Sequence, residues 1–149
     1  MSILKVNTIQ KKDGTQFPLI GQVVTATGST QSATSSSSFV NVPNLSVAIT
    51  PTSTSSKVYI IVTDVAEVGS SGQAAFTIAR GGTNLAPNNS GMSYVLGSSI
   101  QIPVAMSYLD SPSSTSELTY TAQYRAVSGA INSQTNGILA SITVMEVLA

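Results

Sequence analysis

The chain has 149 residues, room for a single hydrophobic core and one compact domain. Hydrophobic residues make up 42% but charged residues only 8%, with six basic residues against six acidic ones, so the formal net charge is zero. That balance leaves no electrostatic footprint for nucleic acid or an anionic membrane, and the absence of His and Cys removes the usual proton shuttle, thiol nucleophile, disulfides and transition-metal ligands. Ser and Thr, roughly a quarter of all residues, replace charge on the solvent face. A surface so poor in charge favours self-association, which points to an oligomer or a larger assembly.

In chain order, residues 1–20 stand apart. Ile3-Leu4-Lys5-Val6-Asn7-Thr8-Ile9 reads as a strand and Lys11-Lys12-Asp13-Gly14-Thr15 as a turn, so an N-terminal arm is expected outside a main domain at 21–149. If Leu4 and Val6 find no partner within the chain, they must pair with a neighbour. A lone lysine before Val6 is no signal-peptide n-region, and no run reaches transmembrane length, so a secretory route by signal peptide is not expected.

Strands are predicted at 22–27 and 38–42, and at 45–49, where Leu45, Val47 and Ile49 alternate with Ser46, Ala48 and Thr50. Between the first two, Gly28 to Ser38 is a low-complexity Ser/Thr stretch, expected as a loop or an extended exposed segment. Residues 57–65 contain the unbroken apolar run Val58 to Val62, which predicts a central strand covered on both faces. Further strands are predicted at 73–80, 92–96, 99–108 and 138–148, and at Leu118-Tyr120-Ala122-Tyr124 with its polar alternates. Pro103 cannot donate to a ladder, so an edge position or a bulge is expected there.

Turn chemistry punctuates the chain at Val42-Pro43-Asn44, Thr50-Pro51, Gly69 to Gly72, Arg80 to Thr83, Pro87 to Gly91, Asp110 to Ser113 and Thr135 to Gly137. No window combines helical spacing with caps, so no substantial helix is expected. The pattern predicts an all-β fold, a jelly-roll-like antiparallel β-sandwich with an N-terminal strand arm.

Candidates for chemistry are few. Asp13, Asp64, Glu67, Asp110, Glu117 and Glu146 are the only carboxylates, and their plain reading is solvated charge on loops and edges, not a glycosidase pair. Asp64 and Glu67, three apart, lack the further acids and the glycine of a calcium loop. Arg80-Gly81-Gly82-Thr83-Asn84 lacks the lysine and helix of a phosphate loop and reads as a tight hairpin turn. No catalytic residue, cofactor or metal is expected. Tyr120 and Tyr124 share a face with Leu118, which suits core or subunit-interface packing, whereas Tyr94 and Tyr108 are candidate exposed platforms for a sugar.

Several segments together resemble a module of bacteriophage virion structural and tail-fibre proteins. They are Leu4-Lys5-Val6-Asn7-Thr8-Ile9-Gln10 with Asp13-Gly14-Thr15, Leu45 to Pro51, Ser55-Ser56-Lys57-Val58, Phe76 to Gly81, Tyr108-Leu109-Asp110-Ser111-Pro112, Leu118 to Gln123, and Ser141 to Val147. The resemblance implies a jelly-roll-like sandwich, commonly a homotrimer, displayed on a viral particle, with no shared catalytic residues. The stretch between Tyr124 and Ile138 is shorter than the loop such proteins often carry there, which counts against loop-borne receptor specificity.

Two functions follow as expectations. The first is a capsid decoration, or cement, protein on the virion surface, a homotrimer whose arm residues Ile3, Leu4, Val6 and Ile9 reach a partner such as the major capsid protein. The second is a tail or head fibre component that binds a host cell-surface glycan through Tyr94, Tyr108, Tyr120 or Tyr124. The absence of any encoded shaft, whether coiled coil or repeat, favours the first.

Overall fold

The computed structural model describes residues 19–86 and 88–148, and the arm residues Ile3, Leu4, Val6 and Ile9 lie outside them. Eleven strands follow one another: β1 (Ile20–Gly28), β2 (Ser32–Thr34), β3 (Val40–Ile49), β4 (Lys57–Val68), β5 (Gly72–Arg80), β6 (Thr83–Asn84), β7 (Ser93–Gly97), β8 (Ile100–Asp110), β9 (Leu118–Ser128), β10 (Ile131–Ser133) and β11 (Ala140–Val147). Among the described residues the only helical element is a 3₁₀ turn at Thr135–Gly137.

The long strands pair as nested antiparallel ribbons, β1 with β11, β3 with β9, β4 with β8 and β5 with β7. Wrapping these ribbons produces two sheets, β1-β11-β4-β8 and β3-β9-β5-β7. This is jelly-roll connectivity, in which successive ribbons alternate between layers and each apolar face closes on the other sheet. Short β10 takes over from β11 along β4 and carries β2 at its side, while β6 extends the edge of β5 beyond β7.

Alternation in the sequence becomes inside and outside. Val58, Ile60, Val62, Ala66 and Val68 of β4 face Ile78, Phe76, Tyr120 and Tyr124 of the second sheet in one buried cluster with Leu45, Ile142 and Val144. Each fully buried Ile or Leu contributes about 1.5–3 kcal/mol. The Phe76 and Tyr124 rings stack with centroids 6.1 Å apart.

Three expectations need correction. Strand β4 is central and longer than predicted, but it is not covered on both faces: Tyr59, Ile61 and Val65 on its outer side are only half-buried, because a two-layer sandwich supplies one covering layer. The Ser/Thr stretch takes the extended form of its two expected ones, not the loop, and it is only partly exposed because it is tied to the sandwich. Ser32–Thr34 pairs with β10, Ser32 Oγ shares a 2.8 Å hydrogen bond with the buried Tyr124 hydroxyl, and Ser36 O accepts from Ala126 N. Finally, Val42-Pro43-Asn44 does not separate two strands. It forms an irregularity inside β3, where the register to β9 slips between Asn41 and Ser46 and Asn44 takes a φ of 62°.

Other expectations agree. Gly81 and Gly82, at φ 55° and 82°, make the two-residue turn between Arg80 and Thr83 that favours glycine at both places. Pro103 lies on β8, which among the described residues is an edge strand paired only with β4.

Candidate functional site

Three of the six carboxylates are not solvated loop charges but buried at the ends of the sandwich. Asp64 accepts from the Ser133 hydroxyl and from the backbone N–H groups of Val65 and Gln134 at 2.7 and 3.0 Å. Burial pushes its carboxyl above the ordinary value, and these hydrogen bonds offset only part of that. Asp110 accepts from both the Arg80 guanidinium and, at 2.7 Å, the Tyr120 hydroxyl, so the only ion pair among the described residues is locked against the core. Burial and the neighbouring Asp110 push the Tyr120 phenol above its usual range.

Glu146, fully buried at the end of β11, joins three segments: Oε1 accepts from the N–H and hydroxyl of Thr52, both at 2.7 Å, and Oε2 from Gln22 Nε2 at 3.0 Å. Burial alone raises its pKa, but the donors outweigh burial and hold it down to about 2.

These acids do not combine into a catalytic or metal centre. Asp64 points into the core and Glu67, three residues on, lies on the opposite face of β4 and accepts from Asn132. Among the described residues no group of three or more Asp, Glu, His or Cys converges. Glu117 is exposed as expected, and Asp13 lies outside the described residues.

Of the four tyrosines singled out by the sequence, two are core. Tyr120 and Tyr124 are fully buried, so neither ring is available to a neighbouring subunit or a sugar. Tyr108 sits at the margin of β8, and Tyr94 on β7 is 46% exposed, its hydroxyl donating to Gln73 Oε1 at 2.6 Å.

Two outer faces remain as sites of contact. Across the first sheet the register aligns Val23, Met145, Tyr59 and Leu109 in one row, with Val23 57% and Leu109 48% exposed. Beside it run Thr25-Thr143-Ile61-Ser107 and Thr27-Ser141-Thr63-Ala105. None of these residues is charged. Thr25 with Thr143 and Thr63 with Ser141 share 2.9 Å hydroxyl hydrogen bonds, so hydroxyls in the polar rows satisfy one another without charge.

On the outer face of the second sheet, Arg125 of β9 stands over Ala75 of β5, and Tyr94 flanks Ala75 on the other side. Arg125 Nε and Nη2 donate to Asn89 O at 3.0 and 2.6 Å, and Nη1 donates to Ser37 O at 3.2 Å. Its Cζ lies 5.4 Å from the centre of the Phe39 ring. Ser37, Ser38, Phe39, Asn89 and Arg125 line an open cleft of about 260 Å³. Gly91 permits the approach: a Cβ there would lie 2.3 Å from Phe76 O, and its φ is 72°. Sequence reading placed Arg125 only among the polar alternates of its strand. A rare arginine at an outward strand position in so uncharged a chain was the available signal.

No family model matches this chain, and no curated protein matches it at a significant level.

Proposed function

We propose that the chain is a bacteriophage virion structural protein, a homotrimeric decoration protein on the capsid surface that ties coat subunits together, with the N-terminal arm reaching the shell. The observation that supports it best is the set of three uncharged rows across the outer face of the β1-β11-β4-β8 sheet, between Lys57 at one end of β4 and Glu67 at the other. An apolar row crossing all four strands, bordered by self-paired hydroxyls, is a surface that gains from being covered. An identical copy brings no charge within these three rows, and closed symmetry lets each subunit cover the next. The segments that resemble virion proteins, Ser141 to Val147 among them, include strands of this same sheet.

Measurements on the purified protein and on particles test this reading. Light scattering of the purified protein is expected to give the mass of a trimer. The paired change Val23→Glu and Leu109→Glu, both on exposed positions, is expected to yield a folded monomer; a trimer that survives both charges overturns this face as the interface. High-resolution imaging of particles is expected to show density on the shell, and heating is expected to release the genome earlier from particles lacking the protein. Density confined to fibre tips would overturn the decoration role and favour a receptor-binding fibre component.

A further inference from the structure

We propose that the cleft around Arg125 binds the carboxylate of an acidic sugar. Two of the three described cations differ sharply in their surroundings. Arg80 is neutralised by Asp110, whereas Arg125 has no carboxylate partner among the described residues and is held by two backbone carbonyls. Carbonyls orient a guanidinium without cancelling its charge. Of its five N–H groups, three are engaged, and one remains on each terminal nitrogen, a fork suited to the two oxygens of a carboxylate.

The two carbonyls come from loops 88 and 36 residues away in sequence, so the guanidinium is fixed before any ligand arrives. The Phe39 ring beneath it restricts it further and forms an apolar wall. Such preorganisation lowers the ordering cost of binding.

The rest of the cleft chooses the ligand class. Its other walls are Ser37, Ser38 and Asn89, neutral groups that donate to and accept from hydroxyls. At about 260 Å³ it is smaller than the roughly 300–1,000 Å³ of drug-sized sites, a fit for one sugar ring. Among the described residues Arg125 is the only cation lining the cleft, which does not suit a polyanion such as nucleic acid. Tyr94 lies two strands away in the same register row, about 10 Å from Arg125 at ordinary strand spacing, where an exposed ring is placed to stack on the next sugar of a chain. This binding site is separate from the sheet face assigned above to assembly, and neither depends on the other.

The test is a two-dimensional NMR titration of the full chain with glucuronic acid and N-acetylneuraminic acid, alongside glucose and sodium acetate. Saturable shifts confined to residues 36–39, 88–91 and 124–126 are expected with an acidic sugar, with glucose and acetate at least about tenfold weaker. Because Arg125→Gln also unclasps two loops, Ser38→Glu serves as the second variant. It leaves Arg125 and its carbonyl partners in place and offers the fork a built-in carboxylate, and it is expected to reduce sugar binding by a similar factor. Absence of saturable shifts with both acidic sugars overturns the proposal. Equal binding of glucose overturns the role of charge, and equal binding of acetate, or of an acidic peptide, overturns the sugar.

Discussion

Glu146→Gln is expected to destabilise the fold in a way that depends on pH. The wild-type carboxylate takes two hydrogen bonds from Thr52 and one from Gln22, whose same amide nitrogen also donates to Thr50 O at 2.6 Å. A glutamine presents an N–H₂ to one of these donors, and turning the Gln22 amide to accept it would strip Thr50 O of its partner. The folded carboxyl titrates at about 2 against 4.5 for the unfolded chain, which at about 1.4 kcal/mol per pH unit caps the contribution at about 3.5 kcal/mol. Glu146 is covered from solvent contact but lies shallowly beneath the surface, and solvent screening there reduces the expected loss to about 1.5–2 kcal/mol. Because the folded pKa is depressed, this stabilisation is complete above pH 4.5, shrinks as pH falls toward 2 and is lost below it. Urea unfolding of both proteins at pH 7, 4 and 2.5 measures the difference directly. A gap that stays constant across that range would refute the electrostatic account and assign the loss to packing.

Asp64→Asn is expected to have the opposite sign. The folded pKa is raised, so the ionised form is a cost at neutral pH; the amide keeps the two backbone donors and can donate to Ser133, and a gain of up to about 1 kcal/mol near pH 7 should fade as pH falls through the Asp64 titration, as chemical denaturation will report. Tyr120→Phe leaves Asp110 with Arg80 alone and should cost about 1–2 kcal/mol in a thermal melt; in the wild type, an absorbance titration should show at least one tyrosine that resists ionisation until the chain unfolds. Gly91→Ala combines a positive φ with a collision at Phe76 O and should cost at least about 2 kcal/mol, with hydrogen exchange rising first at residues 88–91, whose Asn89 O holds Arg125.

Strand content and turns were readable because both are local. Leu45-Val47-Ile49 and Tyr120-Ala122-Tyr124 alternate in the sequence and lie buried in the sandwich, and Gly81-Gly82 sits in the hairpin it predicts. The errors arose where a distant partner overrode composition. A Ser/Thr run reads as a loop or an extended exposed segment until β10 and the Tyr124 hydroxyl offer it hydrogen bonds, and a Pro-Asn pair reads as a turn until β9 runs past it on the other side. The acids show the same limit: nothing near Glu146 in sequence announces that Gln22 and Thr52, 124 and 94 residues away, will satisfy it in the interior.

The sequence by itself determined an all-β chain with a neutral hydroxyl surface, since side-chain periodicity and turn propensity act over a few residues. Only the tertiary structure decided which outward positions form surfaces. Val23, Met145, Tyr59 and Leu109 become one apolar row, and Arg125 meets Ser37 and Asn89, through the register of ribbons that close across most of the chain. That register is set by the burial of the opposite face, where a slip of one residue would turn every core side chain into water.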